Sequence, residues 1–343
     1  MIGALGITSD ALGAWLAANV PGFSTLQKVE PIVAGQSNPT FMLQAASGRY
    51  VLRAKPPGRL LPSAHMVERE YRVMAALAET RVPVPRMLAL AEDAHSPLGR
   101  AFFVMEYLEG RVFWDPALPE LAPTARAQVY DAMNQVLADL HALDPAAIGL
   151  ADYGKPGNYF ARQTQRWAGQ YRASAAGERA QMERLIAWLE ANMPADDGQS
   201  ALVHGDYRLD NMMFSQDGQA VLGLLDWELS TLGHPLADLA YQCMQWRLPH
   251  GGGMRGLGGL DRRALGLPDE AAYVATYAAR RGIEPPQNWS FYLAFAFFRL
   301  AAILEGVVAR ARGGNASNPA KAREYESAIP VLLALASDVI GEV

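Results

Sequence analysis

The chain has 343 residues, 50% of them hydrophobic, with one cysteine and a formal net charge of -5. That length can bury a sizeable core as one large domain or two lobes, and the acidic balance argues against a surface that coats nucleic acid or anionic lipid, a local basic cleft aside. Cys243 alone excludes an internal disulfide and a Cys-based zinc cluster, which suits a reducing cytoplasm.

The N-terminus through Leu16 lacks a basic n-region and places Asp10 early, so it does not read as a signal peptide. Residues 29–33, 40–45 and 49–53 predict strands, punctuated by Gly35, Gly48 and Pro56-Pro57. Ser63 predicts the cap of the one clear helix of this region, which runs to about Thr80 and is stopped by Pro83 and Pro85. On that helix Met66, Met74 and Leu77 form an apolar stripe that includes Glu70, whereas Glu68 falls on another face within reach of Arg72. Residues 101–106 predict a further strand. After Gly110 the pattern turns helical. Val129, Met133, Val136 and Leu140 line one face of a helix over about 123–143, and residues 159–193 predict two more, rich in Arg and Trp. A β-rich island at 201–226 follows, then helices to the C-terminus. The glycine-rich run 251–259 follows a helix rather than a strand and reads as a mobile loop, not a phosphate cradle. The longest apolar stretch, 291–304, is interrupted by Arg299 and bounded by Glu305, and falls short of the ~20 residues of a membrane span.

The island carries the densest signal: His204-Gly205-Asp206-Tyr207-Arg208-Leu209-Asp210-Asn211, then an apolar run ending in Asp226-Trp227-Glu228. Phosphoryl transfer from ATP asks for an aligned hydroxyl, a carboxylate to take its proton, and oxygen ligands for Mg²⁺. Asp206 and Asn211 in one loop, with Asp226 at the end of a hairpin strand, supply those groups. Singly, Asp206 and Asn211 read as turn formers and Asp226 as a strand-end cap. What points to chemistry is the ordered set, with Ala201-Leu202-Val203 before it and the run from Val221 to Leu225 within it. The N-terminal region adds an independent pair. A carboxylate on an inward stripe, Glu70, needs a cation because burying an unpaired charge is costly; Arg53 is the candidate, with an ordinary structural ion pair as the alternative.

The segments HGDYRLDN and LLDWELSTLGHPLADLA resemble the catalytic and metal-binding segments of the aminoglycoside phosphotransferase and choline kinase-like superfamily, with the pattern H-G-D-x-x-x-x-N, then I/L-D-W-E, then G-D-P-x-x-D-L-A. The resemblance implies an α+β, protein-kinase-like two-lobed fold. An N-terminal antiparallel sheet plus helix, five-stranded, would span residues 1–105, with a hinge at 106–110 and ATP between the lobes. The larger helical C-terminal lobe, 111–343, would hold the catalytic loop (202–228) and a helical substrate-binding insert (151–193). By the same resemblance Asp206 is the catalytic base, Asn211 and Asp226 are Mg²⁺ ligands, and His204 and Asp238 brace the loop. Arg208 would contact phosphate, a surface arginine being the alternative. Arg53 stands where kinases usually carry lysine and would hold the ATP phosphates with Glu70. Gly35-Gln36-Ser37-Asn38 fits the nucleotide-positioning loop; in the hinge Met105 would back the adenine while the Glu106 carbonyl and Leu108 N–H bond its edge. His234 departs from the acidic residue usual before that proline.

Further blocks, YVLRAKPPG from Tyr50, LPSAH, EREYR, VPVP and LADYGK, resemble the kinase-like domain associated with acyl-CoA dehydrogenases and its free-standing bacterial relatives, over nearly the whole chain. That narrower resemblance implies a small-molecule hydroxyl substrate that is a CoA thioester, a 4-hydroxyacyl-CoA, and an enzyme acting alongside an acyl-CoA dehydrogenase; the charge and apolar-run lengths read above predict no nucleic-acid or membrane partner. Lys55, Arg59, Arg162 and Arg166 are cations available for CoA phosphates, though each also reads as a solvated surface charge. Two alternatives stand beside it. An aminoglycoside- or choline-type small-alcohol kinase is disfavoured by the basic insert at 159–184, and a nucleotide-binding pseudokinase by the intact Asp206, Asn211 and Asp226.

Overall fold

The computed structural model describes residues 5–32, 38–58, 65–175, 179–251, 254–313 and 319–341. The elements are α1 (Ser9–Asn19), β1 (Leu26–Pro31), β2 (Thr40–Ala45), β3 (Gly48–Ala54), α2 (Val67–Leu77), β4 (Met87–Ala91), β5 (Phe102–Glu106), α3 (Pro123–Ala142), α4 (Tyr159–Ser174) and α5 (Ala180–Ala191). They continue with β6 (Ala201–Val203), β7 (Met212–Phe214), β8 (Val221–Leu224), β9 (Thr231–Gly233), α6 (Leu236–Met244), α7 (Arg262–Leu265), α8 (Glu270–Arg281), α9 (Trp289–Arg312) and α10 (Pro319–Ile340). The chain separates into two compact units: Met1–Arg111 with Met212–Gln216 and Val221–Ser230, and Val112–Asn211 with Asp217–Ala220 and Thr231–Val343.

The first unit is built on a five-stranded sheet in the order β1-β2-β3-β5-β4, each neighbouring pair antiparallel. Strict alternation in β2 buries Phe41, Leu43 and Ala45, and these join Leu52, Phe102 and Val104 in a core closed by Leu12 and Leu16 of α1. The Thr8 hydroxyl caps α1 by accepting from Ala11 N at 3.2 Å. This is a second helix where the sequence predicts one; its Ala- and Gly-rich residues carry little periodicity. The β4 run, Met-Leu-Ala-Leu-Ala, lacks the polar alternation that marks a strand and is likewise absent from the sequence reading. Helix α2 is shorter than predicted. It starts at Val67 with no side-chain cap at Met66, and the Thr80 hydroxyl donates to Leu77 O at 2.8 Å where the helix ends. Ser63 lies outside the described residues.

The β7–β8 hairpin belongs to this first unit, although the sequence reading places 202–228 whole in the second. The reason is backbone pairing. Arg111 and Phe214 exchange two N–H···O bonds of 2.8 Å, and Leu224 N donates to Pro83 O at 2.8 Å.

In the second unit α9 packs against α4, α5, α6 and α10. It is 24 residues long, and by length and composition could cross a membrane, longer than its uncharged stretch suggests; 83% of its apolar window is buried inside the protein. Arg299 is tolerated there because its guanidinium lies 5.9 and 5.6 Å from the centroids of the Trp167 and Tyr241 rings, and Glu305 pairs with Arg179. Part of the glycine-rich run is tied down rather than open: Gly256 N, Leu257 N and Gly258 N donate to Pro249 O, Gln245 O and Leu248 O at 3.0, 2.9 and 2.8 Å.

Candidate active site

In the second unit the loop 204–211 leaves β6 and is pinned by α6. Asp238, fully buried in the first turn of that helix, accepts from His204 N at 2.6 Å and from Gly205 N at 2.8 Å. These are backbone donors that a tight loop cannot satisfy internally. Gly205 adopts φ 84°, a left-handed conformation that glycine takes without strain. His204 Nδ1 accepts from Asp206 N at 3.2 Å, and the Tyr207 hydroxyl donates to Met133 O of α3 at 2.6 Å. Asp206 therefore projects from a backbone anchored on both sides. Its Oδ2 accepts from Asn211 Nδ2 at 2.8 Å, and the Tyr241 hydroxyl bonds the same carboxylate. Arg208, 45% exposed, places Nε 3.5 Å from Asp206 and a terminal nitrogen 3.0 Å from Asp210. Burial by itself would raise the pKa of Asp206. The Arg208 charge, the Tyr241 bond and the Asn211 amide outweigh it and hold the group below its ordinary value, so it is ionised at neutral pH.

In the first unit Arg53 of β3 joins two carboxylates. Its Nε lies 3.0 Å from Glu70 Oε2 of α2, without hydrogen-bond alignment, and a terminal nitrogen donates to Asp226 Oδ1 at 2.5 Å. Asp226 follows β8 at φ 65° and ψ 60°, a conformation uncommon for a non-glycine residue, and the turn after it is fixed by Trp227 Nε1 donating to Leu224 O at 2.9 Å. Glu228 adds a third negative charge to the surroundings of Arg53. Burial pushes Glu70 up to about 7; Arg53 and the Asn38 bond oppose this, while Asp226 and Glu228 add to it. Arg53 is thus shared between the Glu70 and Asp226 carboxylates, with the Glu228 charge acting on it as well. Among the described residues no three His, Cys, Asp or Glu side chains are grouped as a metal cage. The Asp226 carboxylate, 29% exposed, is a hard oxygen donor of the kind that an ion such as Mg²⁺ takes while keeping several waters.

Several other predicted residues have defined partners. Asn38 is buried, and its side-chain amide bonds Glu70 Oε1 at 2.7 Å and His65 Nδ1 at 3.0 Å, so the side chain supports a buried carboxylate. Gly35, Gln36 and Ser37 lie outside the described residues. Met105 and Glu106 end β5 opposite Val51 and Tyr50, and the Glu106 carboxylate accepts from Arg86 N at 2.8 Å. Leu108 packs over Gly223, where a Cβ would come within 2.5 Å of Leu108 Cδ1. Glu68 pairs with Lys55 at 2.5 Å, and Lys55 also reaches Asp93 at 3.0 Å. Helix spacing sees only neighbours on the same helix, here Arg72, and gives no sign of this Lys55 partner just past β3. The pairing removes Lys55 from the cations free for CoA. Arg162 donates to Pro156 O at 3.2 Å and Lys155 O at 2.5 Å, closing the turn before α4. Arg166, one helical turn on, is exposed beside Trp167. Arg59 lies outside the described residues.

Two supporting groups are absent from the sequence reading. Tyr241 bonds the base from α6. His141 of α3 sits 3.4 Å from Asp238 through Nε2 and bonds the Tyr277 hydroxyl at 2.7 Å through Nδ1. Burial lowers the His141 pKa, although Asp238 opposes the shift, which fixes a neutral ring that donates to Asp238. The available signal was a histidine beside Leu140 on a largely apolar helix face that also buries Asn134.

Residues 28–283 match the model of the phosphotransferase enzyme family, APH. The chain belongs to this family. A Ralstonia eutropha crystal structure, provisionally assigned as an aminoglycoside phosphotransferase, is 46% identical to the phosphotransferase with a TM-score of 0.87, covering 98% of each chain. A spectinomycin phosphotransferase solved with ADP and spectinomycin is 12% identical, with a TM-score of 0.63 over 98% of this chain and 100% of that one, and shows the shared kinase-like α+β fold alone. Among curated proteins, acyl-CoA dehydrogenase family member 10 of Mus musculus is 49% identical over 285 residues, 83% of this chain and 26% of that protein. Acyl-CoA dehydrogenase family member 11 of Homo sapiens is 39% identical over 315 residues, 90% of this chain and 40% of that protein. The phosphotransferase thus spans well under half the length of these relatives.

Proposed function

We propose that this phosphotransferase moves the γ-phosphoryl group of ATP onto the chain hydroxyl of a hydroxyacyl-CoA, in particular a 4-hydroxy ester. The observation that carries the transfer reading is Asp206, an ionised carboxylate kept in one orientation by Asn211, Tyr241 and the loop that Asp238 pins. Such a group accepts the hydroxyl proton as the acceptor oxygen bonds to phosphorus and the bond to ADP breaks. Arg53, charged at every working pH and braced by Glu70, would hold the α- and β-phosphates. Asn211 and Asp226 would each offer an oxygen to Mg²⁺, which when bound neutralises charge on the β- and γ-phosphates. Arg208, beside the base, would offer positive charge to the group in transfer.

The acceptor reading is supported by the relatives, whose names are those of acyl-CoA dehydrogenases. A kinase acting alongside such an enzyme meets CoA esters. The CoA portion would supply remote binding energy that orients the hydroxyl, so free acids should lose turnover as well as affinity. ATP consumption measured in parallel with hydroxyacyl-CoAs, aminoglycosides and choline tests this. Turnover is expected with the CoA esters; turnover of choline or kanamycin, with none of any hydroxyacyl-CoA, overturns the acceptor and leaves the transfer chemistry standing.

A further inference from the structure

The second unit displays an aromatic–cation pair that the transfer chemistry leaves unused. Trp114 is 47% exposed, and the Arg255 guanidinium lies over its ring, 5.1 Å from the centroid. Arg255 is itself exposed and is held at φ 48°. The segment that carries it is fixed by the backbone bonds of residues 256–258 to 245–249, and a Cβ at Gly256 would sit 1.8 Å from Leu248 O. Only glycine permits that approach. On the other side Asp115 accepts from Ala117 N at 2.9 Å and lies 4.0 Å from His250.

The pair is close enough to the catalytic loop for the Arg255 charge to act on Asp210, which Arg208 bonds at 3.0 Å, and Arg208 in turn faces Asp206. Arg255 and Arg208 thus act on the same carboxylate, with the partly exposed Trp114 ring under Arg255. Among the described residues no carboxylate forms an ion pair with Arg255, which leaves its guanidinium available to an anion. An acyl chain would use neither cation, and a polycationic acceptor would be repelled by both. A planar base with phosphate attached uses the indole and the guanidinium together.

We propose that Trp114 and Arg255 form the subsite for the nucleotide head of the CoA thioester, with the adenine against Trp114 and a phosphate on Arg255. The assignment rests on the acceptor reading above. ATP carries the same chemistry, but its phosphates are assigned to Arg53 in the first unit, and the test separates the two sources. Trp114→Ala, Arg255→Ala and Arg255→Lys are made in the full chain, with melting temperature as the folding check. Calorimetric titrations use free CoA, pantetheine and ATP, and kinetics compare a hydroxyacyl-CoA with the matching hydroxyacyl-pantetheine. Each alanine variant should weaken free CoA and raise KM for the CoA ester roughly tenfold, the scale of losing one base stack or one phosphate contact. Arg255→Lys should recover part of that loss, and ATP affinity and the pantetheine ester should be unaffected. A fall in ATP affinity with CoA binding unchanged overturns the proposal, as does equal damage to CoA and pantetheine, or wild-type protein that binds CoA no better than pantetheine. Wild-type protein that binds CoA through this pair yet phosphorylates no hydroxyacyl-CoA would overturn the acceptor reading and leave the subsite standing.

Discussion

Asp206 and Asp226 are both aspartates at loop positions, yet their surroundings set them to different work. Asp206 is surrounded by donors that keep it ionised, whereas Asp226 shares one guanidinium with a buried glutamate. Asp206→Asn should therefore leave nucleotide affinity nearly intact while lowering kcat by roughly 10²–10⁴, the range for loss of a general base. Asp226→Ala should abolish Mg²⁺-dependent ATP binding along with turnover; titrations in which both variants lose ATP affinity alike would refute this division. Glu70 gives a pH signature. Its pKa is raised from 4.5 to about 7, so the folded state binds its proton more tightly than the unfolded chain does. The stabilisation from the protonated form is complete below pH 4.5 and is lost as pH rises through about 7. In metal-free, nucleotide-free protein the melting temperature should fall across that window, and Glu70→Gln should flatten the fall. An unchanged profile in the variant would mean that Glu70 does not titrate there. Glu70 stood out in the sequence as a carboxylate on an apolar stripe, whereas Asp206 and Asp226 stood out only through the ordered set they form with Asn211. Arg53 and Glu70 were paired from an inward stripe, but the Asp226 contact, 173 residues away, has no local signal.

At the scale of elements, legibility followed periodicity. The alternating β2 strand was readable to its ends, while α1 and β4, with weak contrast between faces, were not. The grouping of β7 and β8 with the first unit depends on backbone bonds to Arg111 and Pro83, which side-chain pattern does not encode. Gly110 tests that grouping. A Cβ there would lie 2.3 Å from Phe214 O and 2.7 Å from Met213 Cγ, so the segment after β5 and β7 touch through a position with no room for a side chain. Gly110→Ala should destabilise the protein by roughly 1–3 kcal/mol, the usual cost of overpacking, and should weaken ATP binding because β8 leads into Asp226. A melting temperature equal to wild type would show that the two segments can separate at little cost.

At the scale of the whole molecule, the phosphotransferase spans 26% of its mouse relative and 40% of its human one, and the proposal that it works alongside a dehydrogenase turns on what it phosphorylates. Family membership fixes the class of chemistry and leaves the acceptor to the residues that bind it. The most direct test incubates a 4-hydroxyacyl-CoA with Mg²⁺ and ATP, with wild-type protein and Asp206→Asn in parallel, and follows the ester by mass spectrometry and phosphorus NMR. The expected result is one phosphoryl group on the chain hydroxyl of the ester, one ADP formed for each ester modified, and product formation slowed by roughly 10²–10⁴ in the variant. ADP and free phosphate with the ester unmodified, or a phosphoryl group on any other atom, would contradict the account.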